Sequence, residues 1–356
     1  MTRSQRSAVI GLGLALVVVG AFCGGALVLG PLALGPRPTP TALALTAASP
    51  TALPSATANA SPTPAPASAT PGASATATLP ATLTAPPVGP RPELTGRIVF
   101  TCYDGQDDEI CLLSLSDGSV AQLTNNAVGD FYPSLAADGS RVYWARQIQG
   151  SNYEIFSMRT DGSDSVQLTR NRGQNYAPEL SPDGTTVVWT SNVVSGQQIW
   201  LMNPDGQVPR QLTFEYENID PSWSRDGRLI SFASSRQGQR QIYLMNADGS
   251  DPRQITDLPE VGGRNSLSAD NQLLTFYQGP FNGRQIVVIG SDGQNAHPLT
   301  SDSDNVGPGF SPDGAWIVFA SFRDGNNELY AIRPDGTSLT RLTFRPGSDY
   351  QPRWGP

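Results

Sequence analysis

The chain has 356 residues, 31 acidic and 23 basic, for a formal net charge of −8. All the acids lie at or after Glu93, so the stretch from Thr95 onward carries 30 of them against 19 arginines, about −11; that balance argues against a nucleic-acid partner, whose phosphates are met chiefly by basic side chains. The single histidine, His297, excludes a histidine-rich metal centre, and there is no nucleophile elbow, phosphate-binding glycine loop or Cys-x-x-Cys pair.

Residues 8–35, AVIGLGLALVVVGAFCGGALVLGPLALG, carry no charge and exceed the ~20 residues that a membrane-crossing helix needs. The apolar core of a cleaved signal peptide usually spans only about 7–15 residues, so this run is expected to be a transmembrane signal anchor. Arg3 and Arg6 precede it and Arg37 follows, which biases residues 1–7 toward the cytoplasm and the rest toward the extracytoplasmic side. Gly24, Gly25 and Pro31 weaken the helix and leave cleavage near the end of the run open, while Phe22 before Cys23 suits a lipidation signal poorly. Residues 36–94 are mostly Pro, Ala, Ser and Thr, as in PTPAPASATPGASATATLP. With no periodicity and little to bury, they are expected to form a disordered spacer.

From residue 95 to 356 the sequence repeats. An Asp-Gly pair recurs at Asp138, Asp183, Asp226 and Asp313, with Asp270-Asn271 as a degenerate copy. A second series runs through Asp117, Asp161, Asp205, Asp248, Asp292 and Asp335, and an apolar-Thr pair ends at Thr124, Thr169, Thr213, Thr256, Thr300 and Thr343. The three marks share one period of 43–45 residues. Segments such as PSWSRDGRLISF combine an extended run, a tight turn and β-branched or aromatic residues, the pattern of short strands joined by Asp-Gly corners. Four strands per 40–45-residue unit is the sequence form of a β-propeller. Six units predict an all-β, six-bladed propeller over residues 95–356. The C-terminal DYQPRWGP matches the opening of a unit and GRIVF (Gly96–Phe100) its continuation, so the C-terminal strand is expected to complete the N-terminal blade.

Units of the form P-x-W-S-P-D-G-x-x-I-x-F … I-Y-x-M-N-x-D-G-S … L-T resemble the TolB-type β-propeller repeat across residues 95–356. The resemblance implies an extracytoplasmic domain working in protein assemblies, in sensor regions of membrane-anchored proteins or beside peptidase domains, and it implies no single activity. The separate N-terminal α/β domain of that family has no counterpart here, its place being taken by the anchor and spacer.

Three residues before each unit's proline stand Asp130, Asn175, Asn218, Asn305 and Asp349, with Gly262 in the fifth unit. They lead into the innermost strand and are candidates for a polar ring at one channel mouth, with oxygens suited to a hard cation such as calcium. The competing reading has each one capping its own loop. The fifth unit departs most from the pattern, and Arg264 there brings a charge beside the channel-side strand. Tyr216, Tyr277, Phe281 and Tyr350 are candidates for an aromatic contact surface, and Arg236 and Arg323 for ion pairs with nearby acids or neighbouring blades. Cys102 and Cys111 flank YDGQDDEI; in a hairpin they lie opposite one another and form a candidate disulfide, which an exported location permits.

Together these features predict a single-pass membrane protein with its propeller outside the cytoplasm. It is expected to bind a protein or another cell-envelope component, with no catalytic residues and no required cofactor. The alternative is a carbohydrate-active or other hydrolytic propeller using carboxylates at the channel mouth.

Overall fold

The computed structural model describes residues 93–356, so the expected anchor and nearly all of the expected spacer lie outside the described residues. Among the described residues no helix is long and apolar enough to cross a membrane. The alternating runs and their Asp-Gly corners form six four-stranded antiparallel sheets. Blade one sets the C-terminal β24 (Ser348–Gly355) innermost, followed outward by β1 (Arg97–Tyr103), β2 (Asp108–Ser114) and β3 (Val120–Gln122). Blade two is β4 (Asp130–Leu135), β5 (Arg141–Gln149), β6 (Asn152–Arg159) and β7 (Val166–Gln167). Blade three is β8 (Asn175–Leu180), β9 (Val187–Ser191), β10 (Gln198–Met202) and β11 (Arg210–Gln211). Blade four is β12 (Asn218–Trp223), β13 (Leu229–Ser234), β14 (Gln241–Asn246) and β15 (Arg253–Gln254). Blade five is β16 (Val261–Leu267), β17 (Leu273–Gln278), β18 (Gln285–Gly290) and β19 (His297–Pro298). Blade six is β20 (Asn305–Phe310), β21 (Ile317–Ser321), β22 (Glu328–Ile332) and β23 (Thr340–Arg341).

Each innermost strand packs on the innermost strand of the next blade, and β24 meets both β20 and β4, which closes the ring. Closure joins the chain ends through β24–β1 pairing from Arg97↔Gly355 to Tyr103↔Ser348, so that β1 is not left as an exposed edge. Because neighbouring strands alternate in direction, the blade-to-blade loops and the hairpins between second and third strands share one face, here termed the entry face. Both sets of Asp-Gly corners share the opposite face, the turn face. At these corners the aspartate Oδ1 accepts the N–H two residues on, as at Asp138 to Ser140 (2.9 Å), Asp183 to Thr185 (3.1 Å) and Asp335 to Thr337 (2.9 Å). The following glycine takes positive φ, +70° at Gly139 and Gly227, which costs a glycine nothing.

The cores lie between blades. Phe100 and Trp354 of blade one pack with Trp316, Val318 and Leu329 of blade six; Ile199 and Leu201 of blade three pack with Trp223, Phe232 and Tyr243 of blade four. Cys102 on β1 and Cys111 on β2 are bonded, with Cα atoms 5.8 Å apart. Their register is diagonal rather than opposite, since Cys102 faces Glu109 and Cys111 faces Phe100.

Candidate functional site

Asp130, Asn175, Asn218, Asn305 and Asp349 stand at or next to the start of the inner strands, near the entry face, and all five are fully buried. Their partners lie inside the blades. Asp130 accepts both Nε (2.8 Å) and Nη2 (2.8 Å) of Arg146 and the Trp144 indole N–H (3.0 Å). Asn175 accepts from the Trp189 indole and Ser191 hydroxyl. Asn218 and Asn305 donate to the loop carbonyls of Glu215 and Asp302 and accept from Arg236 and Arg323. Asp349 is held by Arg345 at 2.8 Å. As placed, these groups tie loops to strands. Among the described residues no group of three or more His, Cys, Asp or Glu side chains is arranged to hold a metal ion.

A second repeated position carries this network from blade to blade. Glu109, Glu154, Gln198, Gln241, Gln285 and Glu328 stand at or near the start of each third strand. The Leu-Thr or Ile-Thr hydroxyl accepts the next backbone N–H, as from Ile199 to Thr213 (2.9 Å), and donates to the acid or amide, as from Thr213 to Gln198 (2.7 Å). That acid or amide then accepts from the next blade's asparagine, Asn218 to Gln198 at 2.9 Å and Asn175 to Glu154 at 3.1 Å. In blade one, Asn126 bridges Glu109 and Asp130 instead.

Burial raises the Glu109 carboxyl to about 7 from an ordinary 4.5, with the Asp130 charge adding to it. Between those two pH values the unfolded chain ionises here while the folded chain keeps its proton, so stability falls as pH rises through the window. After solvent screening the loss is about 1–2 kcal/mol. Glu109→Gln places here the residue found in blades three to five, and it is expected to remove this slope from denaturation midpoints collected between about pH 4 and 8. A slope identical to that of the unsubstituted chain counts against the assignment.

Arg236 and Arg323 do not reach neighbouring blades. Arg236 stacks over Tyr243 (4.4 Å to the ring centre) and Arg323 over Tyr330 (4.6 Å), and each bonds a serine of its own second strand. Arg323 also lies 3.4 Å from Asp302.

Blade five differs in register. In blade two, Phe131 to Ser134 faces Ala145 to Tyr143, whereas Val261 to Asn265 faces only Gln278 to Phe276, so β16 carries one extra bulge residue. Val261, not Gly262, therefore pairs where Asn218 does in blade four. A Cβ on Gly263 would sit 2.1 Å from Asp220 Oδ2, so a larger residue there would displace that carboxylate. It brings Arg264 to the axis, over the Tyr132 ring (5.4 Å) and donating to Gln351 O (3.4 Å). Burial raises the Asp220 carboxyl, partly offset by Arg264. Further along the axis Arg353 donates to Pro308 O (3.1 Å) and Asn265 O (3.2 Å), and its Nε lies 4.0 Å from Glu179. Burial, reinforced by Arg264, pushes Arg353 down to about 9. Glu179 and Arg353 share one repeat position, directly after Pro178 and Pro352, where the other blades carry Ser134, Ser222, Ser266 and Gly309, and Asp220 directly precedes a proline; residue identity changes from blade to blade at these places, so no repeat signal marks them.

Val166, Val208 and Leu339 are exposed on the turn face, but most of the exposed apolar groups lie on the entry face. Val194 (68 % exposed) stands on the β9–β10 hairpin, and Phe214 (71 %) and Tyr216 (59 %) stand on the loop to β12, two segments joined by a bond from Gln198 Nε2 to Tyr216 O (2.6 Å). Ile148, Phe281 and Phe322 are exposed on other hairpins of this face. Tyr350 is not part of the surface, its hydroxyl being bonded to Asp108.

The family model for the TolB beta propeller domain matches residues 166–356. The Tol-Pal system protein TolB of Geobacter sulfurreducens is 35% identical over 74 residues, which is 21% of this chain and 17% of that one; the match thus spans under a fifth of that relative. The crystal structure of TolB from Acinetobacter baumannii superposes with a TM-score of 0.64 at 20% identity, covering 73% of this chain and 67% of that one. Kuenenia stuttgartiensis hydrazine synthase gives 0.61 at 16% identity, covering 73% and 46%. At such identities the likeness is one of fold, and the names differ too widely for fold to carry an activity.

Proposed function

The chain belongs to the TolB beta propeller domain family, and from that membership we propose that it is a membrane-tethered, extracytoplasmic binding module for a protein or another cell-envelope component. The carrying observation is the exposure of Val194, Phe214 and Tyr216 on two joined segments of the entry face, since exposed large apolar side chains brought together mark recognition surfaces. The uncharged run at residues 8–35 and the spacer at 36–94 supply tether and reach in this reading. Asp130 and Asp349 are buried against Arg146 and Arg345, an arrangement less suited to hydrolysis than to holding the blades.

The test places a photo-crosslinking residue at Phe214 or, as a control on the turn face, at Leu339 in the full chain within intact envelopes. A specific adduct is expected from Phe214 and not from Leu339. Phe214→Ser with Tyr216→Ser should lower recovery of that adduct from a crosslinker at Val194 by about tenfold. Equal labelling from both faces, or recovery unaffected by the serines, rejects the entry face as the site. Carbonate extraction with and without residues 8–35 tests the tether; unchanged release removes that part of the proposal.

A further inference from the structure

The turn-face mouth of the channel holds a cavity of about 60 Å³, room for several waters by the ~10–15 Å³ that one needs. Its wall is mixed, with Leu135, Phe310 and Trp354 lining it beside serines, Glu179 and two arginines. Its polar groups are unbalanced. The Trp223 indole N–H is buried without an acceptor, although the residue is only 8% exposed. Arg225 is half-buried on this wall and makes no hydrogen bond or ion pair with the described residues. Ser266 Oγ already accepts the Phe310 N–H (3.2 Å), which leaves its own proton to give.

Acceptors are fewer. Glu179 uses Oε1 on the Trp223 backbone N–H (3.1 Å) and sets Oε2 4.0 Å from Arg353. Asp313, the other acid acting on Arg225, is occupied by Ser311 Oγ and the Ala315 N–H. Buried donors without acceptors are uncommon and demand a partner. Trp223, Arg225 and Ser266 all line this one cavity, and the partner that such donors specify is an anion. Glu179 beside them disfavours a dianion, and the Leu135, Phe310 and Trp354 side chains in the wall give a carbon skeleton apolar contact that an inorganic ion would not use.

We propose that this cavity binds the carboxylate of a small organic acid, with Arg225 as its ion partner, the Trp223 indole N–H as second donor and Phe310, Leu135 and Trp354 against its hydrocarbon part. The site lies on the face opposite the apolar patch and does not depend on the protein-binding reading. The same group is offered by a free acid and by a peptide α-carboxylate.

The full chain is titrated by calorimetry with phenylacetate, N-acetylphenylalanine and, as the uncharged control, phenylacetamide. Saturable binding of the acids and none of the amide is expected. Tighter binding of phenylacetate assigns the site to free acids, and tighter binding of N-acetylphenylalanine to peptide termini; either upholds the carboxylate. Arg225→Gln is expected to weaken binding about ten- to a hundredfold with the melting temperature little changed, because Arg225 makes no hydrogen bond or ion pair with the described residues. Trp223→Phe keeps the ring, removes the N–H and should weaken binding severalfold. Binding of the amide as tight as the acid, full affinity in Arg225→Gln, or no saturable heat with either acid overturns the proposal.

Discussion

Deleting Ser348–Pro356 from the full chain is expected to abolish the cooperative unfolding transition of the propeller. β24 is the innermost strand of blade one and pairs with β1 along its length. It brings Trp354 into the core shared with Phe100 and Trp316, and its Gln351 side chain accepts the Tyr132 N–H of blade two (2.7 Å). Each large apolar side chain returned to water forfeits about 1.5–3 kcal/mol, and losing β24 uncovers several at once on blades one and six. A domain's total stability is about 5–15 kcal/mol, so the loss is of the same order as the whole. The truncated chain is expected to show a broad, low-amplitude thermal transition by near-ultraviolet circular dichroism and strong binding of an apolar dye. A sharp transition near that of the intact chain would show that β24 does not close the ring energetically.

That closure was legible in the sequence because it is an arithmetic property. A unit split between DYQPRWGP and GRIVF leaves two complementary fragments, and only a ring joins them. The blades were legible for a related reason: an Asp-Gly corner is a local solution to a local problem, so the same letters recur wherever the same turn does. The Glu/Gln latch was equally open to reading, since the residue before Ile110, Ile155, Ile199, Ile242, Ile286 and Leu329 is always Glu or Gln at the blade period. With that position recognised, the buried places of Asn175 and Asn218 follow, because an amide aligned with a latch acid in the preceding blade completes a hydrogen-bond chain.

The axis was not legible, for a physical reason. A periodic signal reports what every blade needs, and a channel interior is built from one residue per blade that need not agree. Arg264 was visible as a departure, but its reach to the axis depends on the extra bulge residue in β16, which is a matter of register. Counting back from Asn265 placed Gly262 in the ring, while the pairing places Val261 there. Glu179 meets Trp223 and Arg225 only through the packing of blade three on blade four, which no spacing within a unit encodes.

Gly347→Ala provides the sharper test of closure, because it leaves every strand present. An added Cβ at Gly347 would stand 1.6 Å from the Tyr103 carbonyl oxygen, 2.8 Å from its carbon and 3.5 Å from Asp104 Cα. All three obstacles are backbone, so no rotamer change relieves the overlap. The obstructing end of β1 is restrained in turn, since Cys102 pairs with Asp349 and is bonded to Cys111. The N-terminal end of β24 must therefore move, which opens Tyr103↔Ser348 and Cys102↔Asp349 and draws Asp349 from Arg345. Overpacking typically costs about 1–3 kcal/mol, and parting a buried ion pair adds to it, so a loss of about 3 kcal/mol or more is expected. For a domain of this size that lowers the melting temperature by about 6–12 °C. Gly283→Ala is the matched control. It sits in the β17–β18 hairpin, its nearest contact would be an ordinary 3.7 Å, and a change within about 0.5 kcal/mol is expected. If the two variants melt together, the tight passage of β24 past Tyr103 does not contribute to holding the ring shut.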